Sequence, residues 1–213
     1  TDDVNERVCR LLATEKVYTV TNNHNGWYDD PPDCPPKLPA RSPETLRLLT
    51  LTSYYPHKNL ELIPEVIEAL PERLRNRVEF VMTLTDAEYR ARIEEHIPAQ
   101  VILTGPVPPP ECPSLYRECD VMFLPTLAEC FSASYPEAMA MRRPIVTTDL
   151  GFARDICGDA GCYFAPRDAQ AAAQAITQIY DDAGLRERLV AAGAERLRVF
   201  DTPRTRAERT LSI

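Results

Sequence analysis

The sequence predicts an α/β fold, a Rossmann-like parallel sheet with helices on both faces. Short apolar runs alternate with helical patterns from residue 46 onward, and most of those runs are bounded by proline, glycine or a small-residue loop. Parallel strands need crossovers, so this βαβα alternation implies helices over both faces of the sheet. At 213 residues and 44% apolar composition, the chain is long enough to bury a full core as one domain spanning 1–213.

In chain order, Val4, Val8, Leu11 and Leu12 carry a short helical pattern, and Lys16 to Thr21 alternates like a strand before the turn cluster Asn22 to Gly26. Prolines at 31, 32, 35, 36, 39 and 43 make 31–43 an extended connector, the one internal boundary expected. Strand Leu46–Leu51 follows, then a helix over Lys58–Leu74 in which Pro64 is a candidate bend. Strand Val78–Leu84, helix Asp86–Ile97 and strand Val101–Thr104 lead through prolines 108 to 110 to a short helix at Ser114–Cys119. After strand Val121–Leu124 a helix is expected from Ser134, then strand Ile145–Thr148, a turn at Gly151–Asp155, and a short strand at Cys162–Phe164. Helices over Asp168–Tyr180 and Leu185–Phe200 close the pattern, leaving 200–213 as a tail.

Composition removes several function classes. A net charge of −8 argues against a nucleic-acid surface, which requires a basic patch. There is no apolar run of membrane-spanning length and no signal-peptide pattern, so a cytoplasmic setting is expected. Seven cysteines without a C-x-x-C pair give neither a disulfide framework nor a zinc site, and three scattered histidines add no metal cluster. No metal and no cofactor are expected. The phosphate loop G-x-x-x-x-G-K-[ST], the dinucleotide fingerprint G-x-G-x-x-G and the hydrolase elbow G-x-S-x-G are all missing. The chain begins at Thr1 without an initiator methionine and is expected to be a fragment or processed form.

Two strand-to-helix loops hold candidate chemistry. In Ser53-Tyr54-Tyr55-Pro56-His57-Lys58-Asn59 a cation sits beside an expected helix start, where free backbone N–H groups also attract phosphate; the bland alternative is a surface lysine, with His57 a packing residue. In Asp120 to Ala140, Glu129 and Glu137 are separated by seven residues, so a helix starting between them turns both toward the carboxyl edge of the sheet. Against this, Ser134-Tyr135-Pro136-Glu137 has the form of a capping box and Glu129 that of a solvated loop acid. Gly105 either admits a second backbone closely or makes a turn. Paired glutamates also suit a glycosidase, but that requires a fixed separation across a sugar.

The blocks HKNLELIPEVIEAL, VILTGPV, LYRECDVMFLPTLAECFSASYPEAMAMRRPIVTTD and GDAGCYFAPRDAQAAAQAI, in this order, resemble the donor-binding half of group 1 glycosyltransferases, retaining enzymes of the GT-B fold. The resemblance runs from about Lys16 to Phe200, and E-x7-E is its most specific part. It implies that Glu129 holds the hydroxyls of a donor sugar, Glu137 the ribose, and Lys58 the diphosphate, with Ser53 and His57 in the same loop. It further implies that backbone N–H groups of Phe131, Ser132, Ala133 and Ser134 meet the sugar and diphosphate, and that Gly105, Pro106 and Val107 border the base. The partner implied is a nucleoside-diphosphate sugar such as a UDP or GDP sugar. The acceptor, a glycan or lipid-linked sugar, is expected on an N-terminal domain absent from this chain.

The chain departs from that pattern in three respects. Ser53 stands where an arginine is usual, Cys130 and Ser132 replace loop glycines, and the acceptor domain is missing. A non-catalytic binding or assembly module on the same half-fold is the competing reading. A flavodoxin-like or receiver-like fold shares the βα pattern without E-x7-E. Arg196, Arg198, Arg204, Arg206 and Arg209 offer a peripheral contact for anionic lipid, although Glu195, Asp201 and Glu208 among them favour a solvated helix.

Overall fold

A computed structural model describes residues 1–212. Six strands, β1 (Leu46–Thr50), β2 (Val78–Met82), β3 (Val101–Leu103), β4 (Val121–Leu124), β5 (Ile145–Thr148) and β6 (Gly161–Phe164), form one sheet in the order β3-β2-β1-β4-β5-β6, every pair parallel. The order reverses direction between β1 and β4, where Leu48 pairs with Val121 and Leu49 with Met122. Open α/β sheets bind ligands outside the carboxyl ends of the strands at such a switch point.

Both faces of the sheet are covered, so its central strands are apolar throughout rather than alternating. Leu48, Phe80, Val121 and Phe123 face α2 (Leu62–Ala69) and α8 (Ala169–Asp181). Leu49, Val81, Met122 and Leu124 face α5 (Cys112–Glu118), α6 (Ser134–Ala140) and α7 (Gly151–Cys157). The Phe123 ring meets Phe80 edge-on at 5.6 Å and stacks on Phe164 at 5.7 Å, tying three strands of one face together.

Several elements differ from the sequence expectation, each for a local reason. The predicted helix over 58–74 is three pieces: a 3-10 turn at Pro56–Lys58, α2, and the short α3 (Glu72–Arg75). Asn59 takes a left-handed conformation (φ 53°) that ends the first piece, and Leu70, extended before Pro71, ends the second. Pro64 lies in the first turn of α2, where a missing N–H costs little, and the break falls elsewhere. Helix α4 (Asp86–Arg92) stops short of Ile97. The 151–155 segment, expected to be a turn, is α7; Phe152, Ala153, Ile156 and Cys157 are buried at helical spacing despite Gly151 at its start.

No strand forms at 16–21, where backbone groups meet side chains instead of a ladder. Asn5 in α1 (Asp2–Leu12) donates to the Val17 carbonyl at 3.2 Å, and the Thr21 N–H donates to Asp201 at 3.2 Å. The proline-rich connector is strapped along α5. Lys37 and Leu38 N–H groups both donate to Glu118 at 2.9 Å, and Arg117 donates to the carbonyls of Pro31 and Pro32.

Two helices end the chain, α9 (Ala183–Leu197) and α10 (Pro203–Leu211), so the expected tail is mostly helical. Its arginines are engaged by neighbours: Arg196 with the Ile156 carbonyl, Arg198 with Glu195, Arg204 with Glu208, Arg206 with Asn22 and Arg209 with Asp201. Among the described residues no helix is long and apolar enough to cross a membrane. All seven cysteines are unpaired.

Candidate functional site

The loops that leave β1 and β4 meet at the carboxyl edge of the sheet, on the switch point. Hydrogen bonds join them. The Leu127 N–H donates to the His57 carbonyl at 2.7 Å, and the Thr126 hydroxyl donates to the same carbonyl at 3.1 Å. Asn59 reaches the Pro125 carbonyl at 3.4 Å. His57 therefore contributes its backbone, while its ring stacks on Tyr55 with centroids 5.6 Å apart.

This joint brings Lys58 to Glu129 across 71 residues of chain: Nζ lies 2.5 Å from Oε1, and the side chains are only 12% and 11% exposed. The Thr126 hydroxyl also lies 3.0 Å from this oxygen, so the single proton of one fully buried hydroxyl is shared between the His57 carbonyl and the acid. A lysine and a carboxylate this close and this enclosed neutralise one another.

Beyond Glu129 the loop passes into α6. Phe131 turns away from the joint and packs edge-on against Phe200 at 5.7 Å, whereas Ser132 is buried. Backbone N–H groups of Phe131, Ser132 and Ala133 have no backbone acceptor. Ala133 is the residue at the cap, and no side chain caps this helix. Ser134 is the first helical residue; its hydroxyl lies 3.5 Å from the Leu51 carbonyl, so Ser134 to Glu137 do not form the capping box that their sequence suggests. That motif occurs at α4 instead, where Thr85 and Glu88 satisfy each other's backbone N–H.

Glu137 points into a polar cluster under the N-terminal segment. The Tyr116 hydroxyl donates to its Oε2 at 3.3 Å, and the buried Tyr28 ring meets Tyr116 edge-on at 5.8 Å. Burial pushes the Glu137 carboxyl above the ordinary carboxylate range, while the Tyr28 and Tyr116 hydroxyls and the nearby His24 pull it back. Burial, and after it the Glu137 carboxylate, also raises the Cys112 thiol to about 11, away from the range of a reactive thiolate.

Gly105 stands at the end of β3 with φ +68°, a left-handed conformation that a side chain disfavours. Its N–H donates to the Leu84 carbonyl at 2.9 Å, and the turn it makes places Pro106 and Val107 against a cavity of about 220 Å³. Ser53, Thr83, Glu88 and Cys112 also line that cavity. The structure thus gathers two groups at one edge: Lys58 with Glu129, and Ser53 with Pro106 and Val107. Glu137 is reached through Tyr116, and Phe131 faces elsewhere. Sequence reasoning missed Thr126, Tyr116 and Tyr28. Thr126, immediately after the strand-ending Pro125, had a positional signal; the two tyrosines had none, because their partner lies far along the chain.

Residues 45–182 match a family model described as Glycosyl transferases group 1. Over 88 residues the chain is 38% identical to the phosphatidyl-myo-inositol mannosyltransferase of Mycobacterium leprae (strain TN), covering 40% of this chain and 24% of that protein. TarM of S. aureus, solved in complex with Fondaparinux, alpha-GlcNAc-glycerol and UDP, aligns with a TM-score of 0.78 at 18% identity, covering 100% of this chain and 42% of the other. Sucrose-phosphate synthase from Thermosynechococcus elongatus aligns with a TM-score of 0.73 at 18% identity, covering 98% and 55%. The match spans about a quarter of the mannosyltransferase and about half of each solved protein.

Proposed function

The chain belongs to the group 1 glycosyltransferases, and on that premise we propose that it is the nucleotide-sugar-binding half of a retaining hexosyltransferase. The observation that carries this reading is the joint between the β1 and β4 loops, which sets Lys58 against Glu129 at the switch point of the sheet. In this reading a nucleoside-diphosphate sugar lies along the carboxyl edge. Its base enters the cavity beside Ser53, Pro106 and Val107, with Gly105 making the turn. Its ribose hydroxyls meet Glu137, which Tyr116 orients, and its diphosphate lies between Lys58 and the backbone N–H groups of Phe131 to Ser134. Glu129 accepts hydrogen bonds from the sugar.

Lys58 is already neutralised before a donor arrives, so binding is an exchange: the diphosphate takes the ammonium and the sugar hydroxyls take the released carboxylate. The acceptor hydroxyl then attacks the anomeric carbon on the face from which the diphosphate departs. Its proton passes to the leaving oxygen, and the C–O bond to the diphosphate breaks. Lys58 and the N–H groups stabilise the developing negative charge, an electrostatic contribution that needs no nucleophilic side chain. The acceptor, a glycan or lipid-linked sugar, is held by a separate N-terminal domain, and this chain alone does not turn over. Each terminal arginine already has a partner, so this reading assigns them no contact with anionic lipid.

Thermal-shift titration with UDP, GDP, ADP and their sugar conjugates tests the reading. A ligand that binds only the folded chain raises stability by about 2.7 kcal/mol at a hundredfold excess over Kd. One nucleoside diphosphate is expected to stabilise the chain, and Glu137→Ala to abolish the effect; no response to any of them at saturating concentrations contradicts it. Ser53 in place of a second cation favours the non-catalytic module as the other reading. That module predicts nucleotide binding without any gain from an attached sugar.

A further inference from the structure

The larger cavities lie at the other end of the sheet. A cleft of about 360 Å³ opens at the amino edge, where Asp120 leads into β4 and Pro144 into β5. Arg142, Arg143 and Arg186 line it, and a neighbouring cavity of about 350 Å³ shares Asp120 and Arg186 with it. We propose that this cleft is an anion site for the phosphate group of a soluble phosphate ester, separate from the donor crevice.

The charges in the cleft are unbalanced. Asp120 is already committed: Arg41 grips both of its oxygens, one at 2.9 Å, and the Arg47 N–H donates to it at 2.8 Å. Arg143 and Arg186 are half-buried, yet both have only carbonyl partners. Arg143 donates to Tyr116 at 2.7 Å and Arg117 at 3.3 Å, and Arg186 to Ile179 at 2.5 Å and Tyr180 at 3.0 Å. Among the described residues neither forms an ion pair, and burial draws the Arg143 guanidinium below its ordinary value. Glu187, exposed on α9, is the one carboxylate in the wall besides Asp120. Asp120 offsets the burial of Arg143 only in part, being gripped by Arg41, and a desolvated guanidinium is relieved further by a bidentate oxyanion, whose geometry planar forks suit.

Arg142 adds an independent observation. It occupies the left-handed position just past α6 with φ 55°, where glycine is the unstrained residue, and among the described residues its guanidinium makes no hydrogen bond or ion pair. This turn is a helix cap closed by backbone bonds, with the Arg142 N–H donating to the Met139 carbonyl at 3.0 Å and the Arg143 N–H to the Ala138 carbonyl at 2.8 Å, so the fold fixes the backbone and leaves the side chain on the cleft wall. A lipid phosphate has the same headgroup chemistry, but none of the exposed large apolar side chains, among them Leu11, Tyr18 and Leu211, lines this cleft to enter a bilayer.

Calorimetric titration of inorganic phosphate at constant ionic strength, into the parent, Arg142→Gly and Lys58→Met proteins, tests the assignment. Arg142→Gly keeps the left-handed turn and should fold. Saturable binding is expected in the parent and in Lys58→Met, where the donor crevice has lost its cation. Arg142→Gly should weaken it at least about tenfold, the equivalent of one charged hydrogen-bonding partner. Equal affinity in Arg142→Gly and parent, or loss of all binding in folded Lys58→Met, overturns the site. Sedimentation with phosphatidylcholine vesicles containing phosphatidic acid separates the two sources of phosphate. Arg142-dependent vesicle binding without binding of free phosphate overturns the soluble ester.

Discussion

The two edges of the sheet carry cations in opposite states. At the carboxyl edge Lys58 is enclosed and paired with Glu129, and the loop backbone is stitched around the pair by Thr126. At the amino edge Arg143 and Arg186 end on helix carbonyls, and Arg142 has no partner among the described residues. The difference separates two modes of anion binding. In the proposed reading an anion reaches the first edge only by displacing an acid, so the site would select a ligand able to satisfy that acid as well. At the second edge it simply adds, which makes the site responsive to phosphate as such.

The largest effect should follow from opening the first pair on one side. Lys58→Ala leaves Glu129 11% exposed beside an empty position and is expected to cost about 3 kcal/mol in urea denaturation. The joint change Lys58→Met with Glu129→Gln should recover most of that loss, and a double mutant as unstable as the single one would break the comparison. Thr126→Val removes a buried hydroxyl that bonds both the His57 carbonyl and Glu129, at a cost of about 1–2 kcal/mol in the same assay.

At the opposite edge the sign reverses. Arg142→Gly releases a left-handed non-glycine residue and is expected to stabilise the anion-free chain by about 0.5–1 kcal/mol. The smallest effect is a pH dependence. Because the folded chain holds the Glu137 proton more tightly than the unfolded chain, stability falls as pH rises from the ordinary carboxylate range through the raised value. Glu137→Gln should lack that decline and be the more stable protein near pH 7, as denaturation across a pH series will show.

The sheet was legible because its strands are short apolar runs ended by proline or small residues, and β4 with Pro125 is the clearest instance. Elements defined by tertiary contact were not. Lys16 to Thr21 alternates like a strand but has no neighbouring strand, so side chains from α1, Asp201 and Arg209 satisfy it. Gly151 hid α7, whose helical face is fixed by the burial of Phe152 and Ile156. At the candidate site, E-x7-E and the lysine loop were readable as motifs. The direct Lys58–Glu129 contact was not, because it depends on β1 and β4 being neighbours, and sequence order places two strands between them. Ser134 to Glu137 shows the reverse failure, a local motif that the surrounding fold does not use.

The exchange at Lys58 is most directly measured by calorimetry of a nucleoside diphosphate and its sugar conjugate binding to the parent and to Glu129→Gln. Removing the competing carboxylate should tighten the bare diphosphate several-fold, roughly the 0.5–1 kcal/mol of a modest ion pair. The added affinity from the sugar should shrink at the same time, because its acceptor of hydrogen bonds is gone. Equal weakening of both ligands would contradict the account, since Glu129 would then be supporting Lys58 rather than competing for it.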